Sequence, residues 1–141
     1  MIRIALADDH QQIRKVWNLI LSAHPAFEVV ATCCNGQEAM DAASTCSPDL
    51  FIMDINMEPV NGIEATGIIT KLYPEIKVIG MSIHHEDVYV RRMLEAGAHG
   101  YVTKSSPYEE LIEAIQQVHA GQYYFCKEIQ QLMPGSLMTY R

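Results

Sequence analysis

Short apolar runs and longer amphipathic stretches take turns along this chain. Ile2 to Ala7 is apolar except for Arg3 and runs into Asp8-Asp9-His10. From Gln11, apolar residues recur at Ile13, Val16, Trp17, Ile20 and Leu21, the spacing of a helix that buries one face, and the pattern stops near His24-Pro25. Phe27 to Cys33 is β-branched and apolar, Asn35-Gly36 is a turn, and the alanine-rich Gln37 to Thr45 predicts a short helix. Leu50 to Met53 is unbroken apolar sequence that halts at Asp54 and then turns through Asn56, Pro59, Asn61 and Gly62. Such a run, closed by turn residues, predicts a strand buried on both faces. Gly62 opens a further helical pattern (Ile63, Thr66, Ile68, Ile69, Leu72) that ends at Tyr73-Pro74. Lys77 to Met81 is strand-like and ends at Ser82; His84 to Asp87 is a polar loop; Val88 to Ala96 is helical and stopped by Gly97. Tyr101 to Thr103 predicts a short strand ending at Lys104. Ser106-Pro107, with Glu109 and Glu110 near the positive end of the dipole, starts a last helix striped by Leu111, Ile112, Ile115 and Val118 and closed by Gly121.

Strict alternation of five strands with five helices predicts an α/β fold, a doubly wound parallel sheet with helices on both faces. The pattern assigns residues 1–121 to one domain and 122–141 to a C-terminal tail or truncated linker, aromatic at Gln122-Tyr123-Tyr124-Phe125 and flexible at Pro134-Gly135-Ser136.

Composition narrows the function. At 141 residues the chain is one domain's length, and a net charge of -7 argues against direct contact with nucleic acid or an anionic membrane. No apolar run approaches the roughly 20 residues of a membrane span. Met1-Ile2-Arg3 leads straight into a strand, so no signal peptide is expected and a cytoplasmic location is. Cys33, Cys34, Cys46 and Cys126 lack C-x-x-C spacing and read as reduced, partly buried thiols.

In a parallel sheet all strands end on one edge, where such folds place their ligands. That edge receives Asp8, Asp9, Asp54, Ser82 and Lys104. Carboxylates about 4 Å apart repel by around 4 kcal/mol a pair at a surface-like dielectric. A held proton or a divalent cation relieves this, and Mg²⁺ suits oxygen ligands. The expected ligands are Asp9 and Asp54, with Asp8 binding directly or through water and a main-chain carbonyl at Asn56 completing the set. Asp54 is then the expected nucleophile for a phosphoryl group, with Lys104 and the Ser82 hydroxyl pairing with its oxygens. His10, His84 and His85 read as solvated loop residues.

These motifs carry a resemblance. Asp8-Asp9, Met53-Asp54-Ile55-Asn56-Met57, Asn61-Gly62-Ile63-Glu64-Ala65, Gly80-Met81-Ser82 and Gly100-Tyr101-Val102-Thr103-Lys104 resemble, in order, the receiver domain of two-component response regulators, and Asp8-Asp9-His10-Gln11 resembles its NarL/LuxR-type branch. The resemblance implies a flavodoxin/CheY-like sheet with strand order 2-1-3-4-5. It implies that Asp54 is phosphorylated by a sensor histidine kinase or phosphotransfer protein, with self-catalysed transfer and hydrolysis rather than turnover as an enzyme. Ser82 and Tyr101 are the implied switch pair. Dimerisation and control of transcription through a C-terminal DNA-binding domain, beyond residue 121 and outside this chain, are the implied outputs. Two departures stand out: Glu58 precedes Pro59 where the family often has proline directly after Met57, and Ser105 follows Lys104, so no cis bond is expected there. Two rival functions remain. A phosphoaspartate hydrolase would want a second acid where Asn56 stands, and an interaction module that is never phosphorylated would use the same scaffold.

Overall fold

A computed structural model describes residues 1–83, 86–133 and 135. His84, His85, Pro134 and Ser136, named above as loop or flexible residues, lie outside them. The element order is β1 (Ile2–Ala7), α1 (Gln11–Ser22), β2 (Phe27–Cys33), α2 (Gly36–Cys46), β3 (Leu50–Asp54), α3 (Gly62–Leu72), β4 (Lys77–Ser82), α4 (Asp87–Glu95), β5 (Gly100–Thr103), α5 (Tyr108–His119), β6 (Tyr124–Phe125) and α6 (Lys127–Leu132). The expectation of five strands and five helices is therefore one short of each among the described residues. Tyr124–Phe125 adds a sixth strand, and Lys127–Leu132 a sixth helix, both within residues 122–141. The sheet order is β2-β1-β3-β4-β5-β6, and every neighbouring pair is parallel. The five-strand order stands, extended by β6.

Burial follows the hydrophobic pattern. All of β3 and β5 is buried, as central parallel strands with helices on both faces require. In-register pairs sort the side chains by face. Leu6, Ile52 and Ile79 share one face, with Gly100 beside Ile79. Trp17 of α1 lies against Leu6 and Ile52, and a Cβ on Gly100 would meet Val118 of α5 at 3.4 Å, so α1 and α5 cover that face. A Cβ on Gly80, one residue out of phase, would meet Met93 of α4, so α4 covers the other face, with α3 and then α2 alongside it. The helices start as the sequence asks: Asn35 and Asn61 each accept the N–H of the residue three on, Glu38 and Glu64. No helix among the described residues is long and apolar enough to cross a membrane.

The added elements are held by side chains as well as by backbone. β6 pairs with β5 through Gly100–Tyr124 and Tyr101–Phe125. Phe125, Cys126 and Ile129 are almost wholly buried. Glu110 of α5 accepts both the Tyr124 hydroxyl, 3.0 Å, and the Lys127 N–H, 2.8 Å, at the start of α6. β2 carries a bulge, because register shifts by one residue between Ile4–Val29 and Ala5–Ala31.

Candidate functional site

The same register that sorts the core assembles the site. Continuing the alternation past the strand ends, Asp8 follows Leu6, Asp54 follows Ile52 and Lys104 follows Val102, all in phase. Ser82 and Tyr101 fall on the opposite phase. The parity explains a division the motifs alone do not show: the acids and the lysine form one group, and the hydroxyl and the phenol another.

In the first group, the Lys104 ammonium lies 2.9 Å from Asp8 Oδ2 and 3.4 Å from Asp54 Oδ2. Asp54 is 3 % exposed, and its Oδ1 accepts the Asn56 N–H at 3.3 Å. Burial, then the Asp8 charge, pushes the Asp54 carboxyl up to about 6, while Lys104 and the Asn56 N–H oppose the rise. Burial also acts to lower the lysine, but its bonds and charges with Asp8 and Asp54 outweigh this and leave it above its ordinary value. Asp9 faces solvent and lines an open cleft of about 510 Å³ with Asn56, Met57, Glu58, Pro59 and Asn61. Glu58 thus stands in the cleft wall near Asp9, and the Glu58–Pro59 peptide is cis.

His10, expected as a solvated loop residue, is exposed in the loop after β1 and also belongs to this group. Its side chain is largely exposed, its Nδ1 lies 3.2 Å from Asp8 Oδ1 and 3.0 Å from Asp9 Oδ1, and its N–H donates to Asp8 Oδ1 at 2.9 Å. The signal was simple adjacency to the acid pair. Arg14, which no motif marks, also reaches the site: its Nη1 donates to the Asp8 carbonyl at 2.6 Å. One atom each from Asp8, Asp9, His10 and Asp54 lie within 4.8 Å of one another. Three hard oxygen donors so close, one of them opening on the cleft, suit a small divalent cation, since among the described residues a single ammonium, Lys104, faces Asp8 and Asp54 together.

In the second group, Ser82 and Tyr101 are each 0 % exposed and share a side-chain hydrogen bond. Burial, above all, holds the Tyr101 phenol well above its ordinary range. The Ser82 carbonyl accepts the Lys104 N–H at 2.8 Å, so the serine and the lysine are joined through the main chain.

Two glycines allow the loop after β3 to close on the site. A Cβ on Gly62 would stand 1.9 Å from the Asp54 carbonyl oxygen, and one on Gly36 would stand 2.4 Å from that of Val60. Only glycine lets the Asn61-Gly62 backbone press against the end of β3 and donate from Gly62 N to the Ile55 carbonyl at 2.9 Å.

Comparison with known proteins gives the chain its relatives. The family model for the response regulator receiver domain matches residues 4–116. The transcriptional regulatory protein DegU of Brevibacillus brevis is 42 % identical over 123 residues, which are 87 % of this chain and 52 % of DegU. The response regulator GacA of Pseudomonas viridiflava is 36 % identical over 131 residues, 93 % of this chain and 61 % of GacA. The chain thus spans between about half and three fifths of the length of these relatives. Among solved structures, a LuxR-family two-component response regulator from Aurantimonas sp. SI85-9A1 superposes with a TM-score of 0.88 at 33 % identity, covering 92 % of both chains. Because the family match runs from β1 into α5, and so takes in every strand end that carries the acids, the serine and the lysine, the chain belongs to the response regulator receiver domain family.

Proposed function

We propose that this chain is a phosphorylation-switched receiver in which Asp54 takes a phosphoryl group from the phosphohistidine of a sensor kinase or phosphotransfer protein. An Asp54 oxygen bonds to phosphorus, the P–N bond to the donor imidazole breaks, and the departing imidazole takes up a proton. The observation that carries this reading is the Lys104 ammonium poised between Asp8 and a buried Asp54. It can leave Asp54 for a phosphoryl oxygen without leaving Asp8, and the Ser82 hydroxyl is the expected donor to a second oxygen. Asp9 and Asp54, with Asp8 and the Asn56 carbonyl, would hold Mg²⁺. When bound, that ion neutralises charge building on the phosphoryl oxygens. The chain's own groups orient the acceptor and exclude water behind it. No substrate is turned over: the phosphoryl group is received and lost by hydrolysis.

The response would run through Ser82 and Tyr101, whose shared hydrogen bond ties the serine beside the acceptor to the buried face of β5. A phosphoryl group that recruits the Ser82 hydroxyl must change that bond and bias the surface around β5. DegU's name supports transcriptional control as the output, and a separate DNA-binding domain and dimerisation would be its means.

The test is intact mass after incubation with Mg²⁺ and acetyl phosphate. The parent gains one phosphoryl group, excess EDTA abolishes the gain, and Asp54→Asn gains none. An Asp54→Asn variant modified as readily as the parent would refute the assignment.

A further inference from the structure

Lys104 stands between two hydroxyl residues that share one acceptor. Thr103 Oγ1 donates to Glu128 Oε1 at 3.0 Å, and Ser105 Oγ donates to the same oxygen at 3.1 Å. Thr103 Oγ1 also lies 3.1 Å from the hydroxyls of both Ser105 and Ser106. Thr103 is 3 % exposed, so its hydroxyl depends on these partners. The Thr103 carbonyl accepts the Ser106 N–H at 3.0 Å, so residues 103–106 close a turn at the end of β5 with Lys104 and Ser105 at its centre. Glu128 therefore ties down both neighbours of Lys104 in that turn, while Lys104 itself reaches Asp8 and Asp54. Glu128 sits on α6, which Glu110 and the buried Ile129 fix to the body.

We propose that Glu128 is a positioning residue for Lys104: by binding the hydroxyls on either side of it, it holds the β5–α5 turn where the ammonium reaches Asp8 and Asp54, and so couples α6 to the acceptor site. This rests on the reading of Asp54 as phosphoacceptor for its catalytic consequence, but not for its structural one. A charge-assisted pair of bonds adds to the main-chain bonds that Lys104 and Ser106 donate to Ser82 and Thr103. Traffic runs both ways, as linkage demands: whatever pulls α6 from the body loosens Lys104, and whatever fixes Lys104 holds α6.

The test compares Glu128→Ala, Glu128→Gln and Ser105→Ala with the parent chain, using Lys127→Ala on the same helix as control. Two quantities are read: amide hydrogen exchange at Lys104 relative to amides of β3, and the phosphorylation rate constant at saturating acetyl phosphate with Mg²⁺. In Glu128→Ala, exchange at Lys104 quickens about ten-fold and phosphorylation slows about five-fold, in line with the loss of both bonds to the carboxylate from hydroxyls that keep each other as partners. Ser105→Ala gives a smaller change of the same sign. Glu128→Gln, whose amide oxygen still accepts both hydroxyls, restores most of each, and Lys127→Ala matches the parent. Unchanged exchange at Lys104 in Glu128→Ala would overturn the proposal, as would a Gln variant no better than Ala. If the parent takes no phosphoryl group, the functional reading fails, while the exchange data still decide the role of Glu128.

Discussion

At Asp54, burial and the neighbouring Asp8 act together to favour the proton, and the carboxyl titrates near 6 rather than 3.8. The native state then binds more protons than the unfolded chain between about pH 4 and 6, so Asp54 makes stability fall as pH rises through that window. His99 does the reverse. Its Nδ1 accepts the Val78 N–H at 3.3 Å, and burial, then the Lys77 charge, lowers its titration from 6.5 to about 4. Here the unfolded chain binds more protons between about pH 4 and 6.5. Its contribution is therefore complete above 6.5 and lost as pH falls towards 4. Each effect is about 2 kcal/mol, and they oppose each other over nearly the same window. The expected outcome in EDTA is a parent whose urea stability changes little from pH 4.5 to 6.5. Asp54→Asn should become steadily more stable as pH rises, and His99→Asn steadily less. Parallel profiles for the two variants would contradict this account.

At the scale of elements, the strands and helices up to α5 were readable because each apolar run is long enough to show its period and is closed by a turn residue. β6 and α6 were not. A two-residue strand has no period, and the six residues of α6 are too few to show a stripe, with Ile129 its one buried side chain. The aromatic Tyr123-Tyr124-Phe125 run was the available signal, since such residues favour a pleated surface. A helix that short does not stand alone in water, so its existence depends on its docking. Ile129→Ala is expected to cost about 2 kcal/mol, spent locally. Amides from 124 to 133 should lose exchange protection together while those of β1 and β3 keep theirs. Global unfolding of the sheet in that variant would show instead that the last elements are part of one cooperative core.

For the whole molecule, the parallel sheet is why a site could be read from sequence at all: it sends Asp8, Asp54, Ser82 and Lys104 to one edge regardless of their separation along the chain. The arrangement among them was less readable, because it is set by register. Asp8, expected only to assist, is the closer partner of Lys104, and His10 joins the acids through a turn that periodicity does not describe.

The two margins of the sheet have a consequence for colloidal behaviour. The β6 margin offers two residues of backbone, and the β2 margin is bent by its bulge and carries the exposed Glu28 and Thr32. Neither is a flat, greasy template on which another copy could stack strand upon strand. Together with a net charge of -7, this should keep concentrated solutions free of fibrils, giving no rise in thioflavin T fluorescence on prolonged incubation at neutral pH.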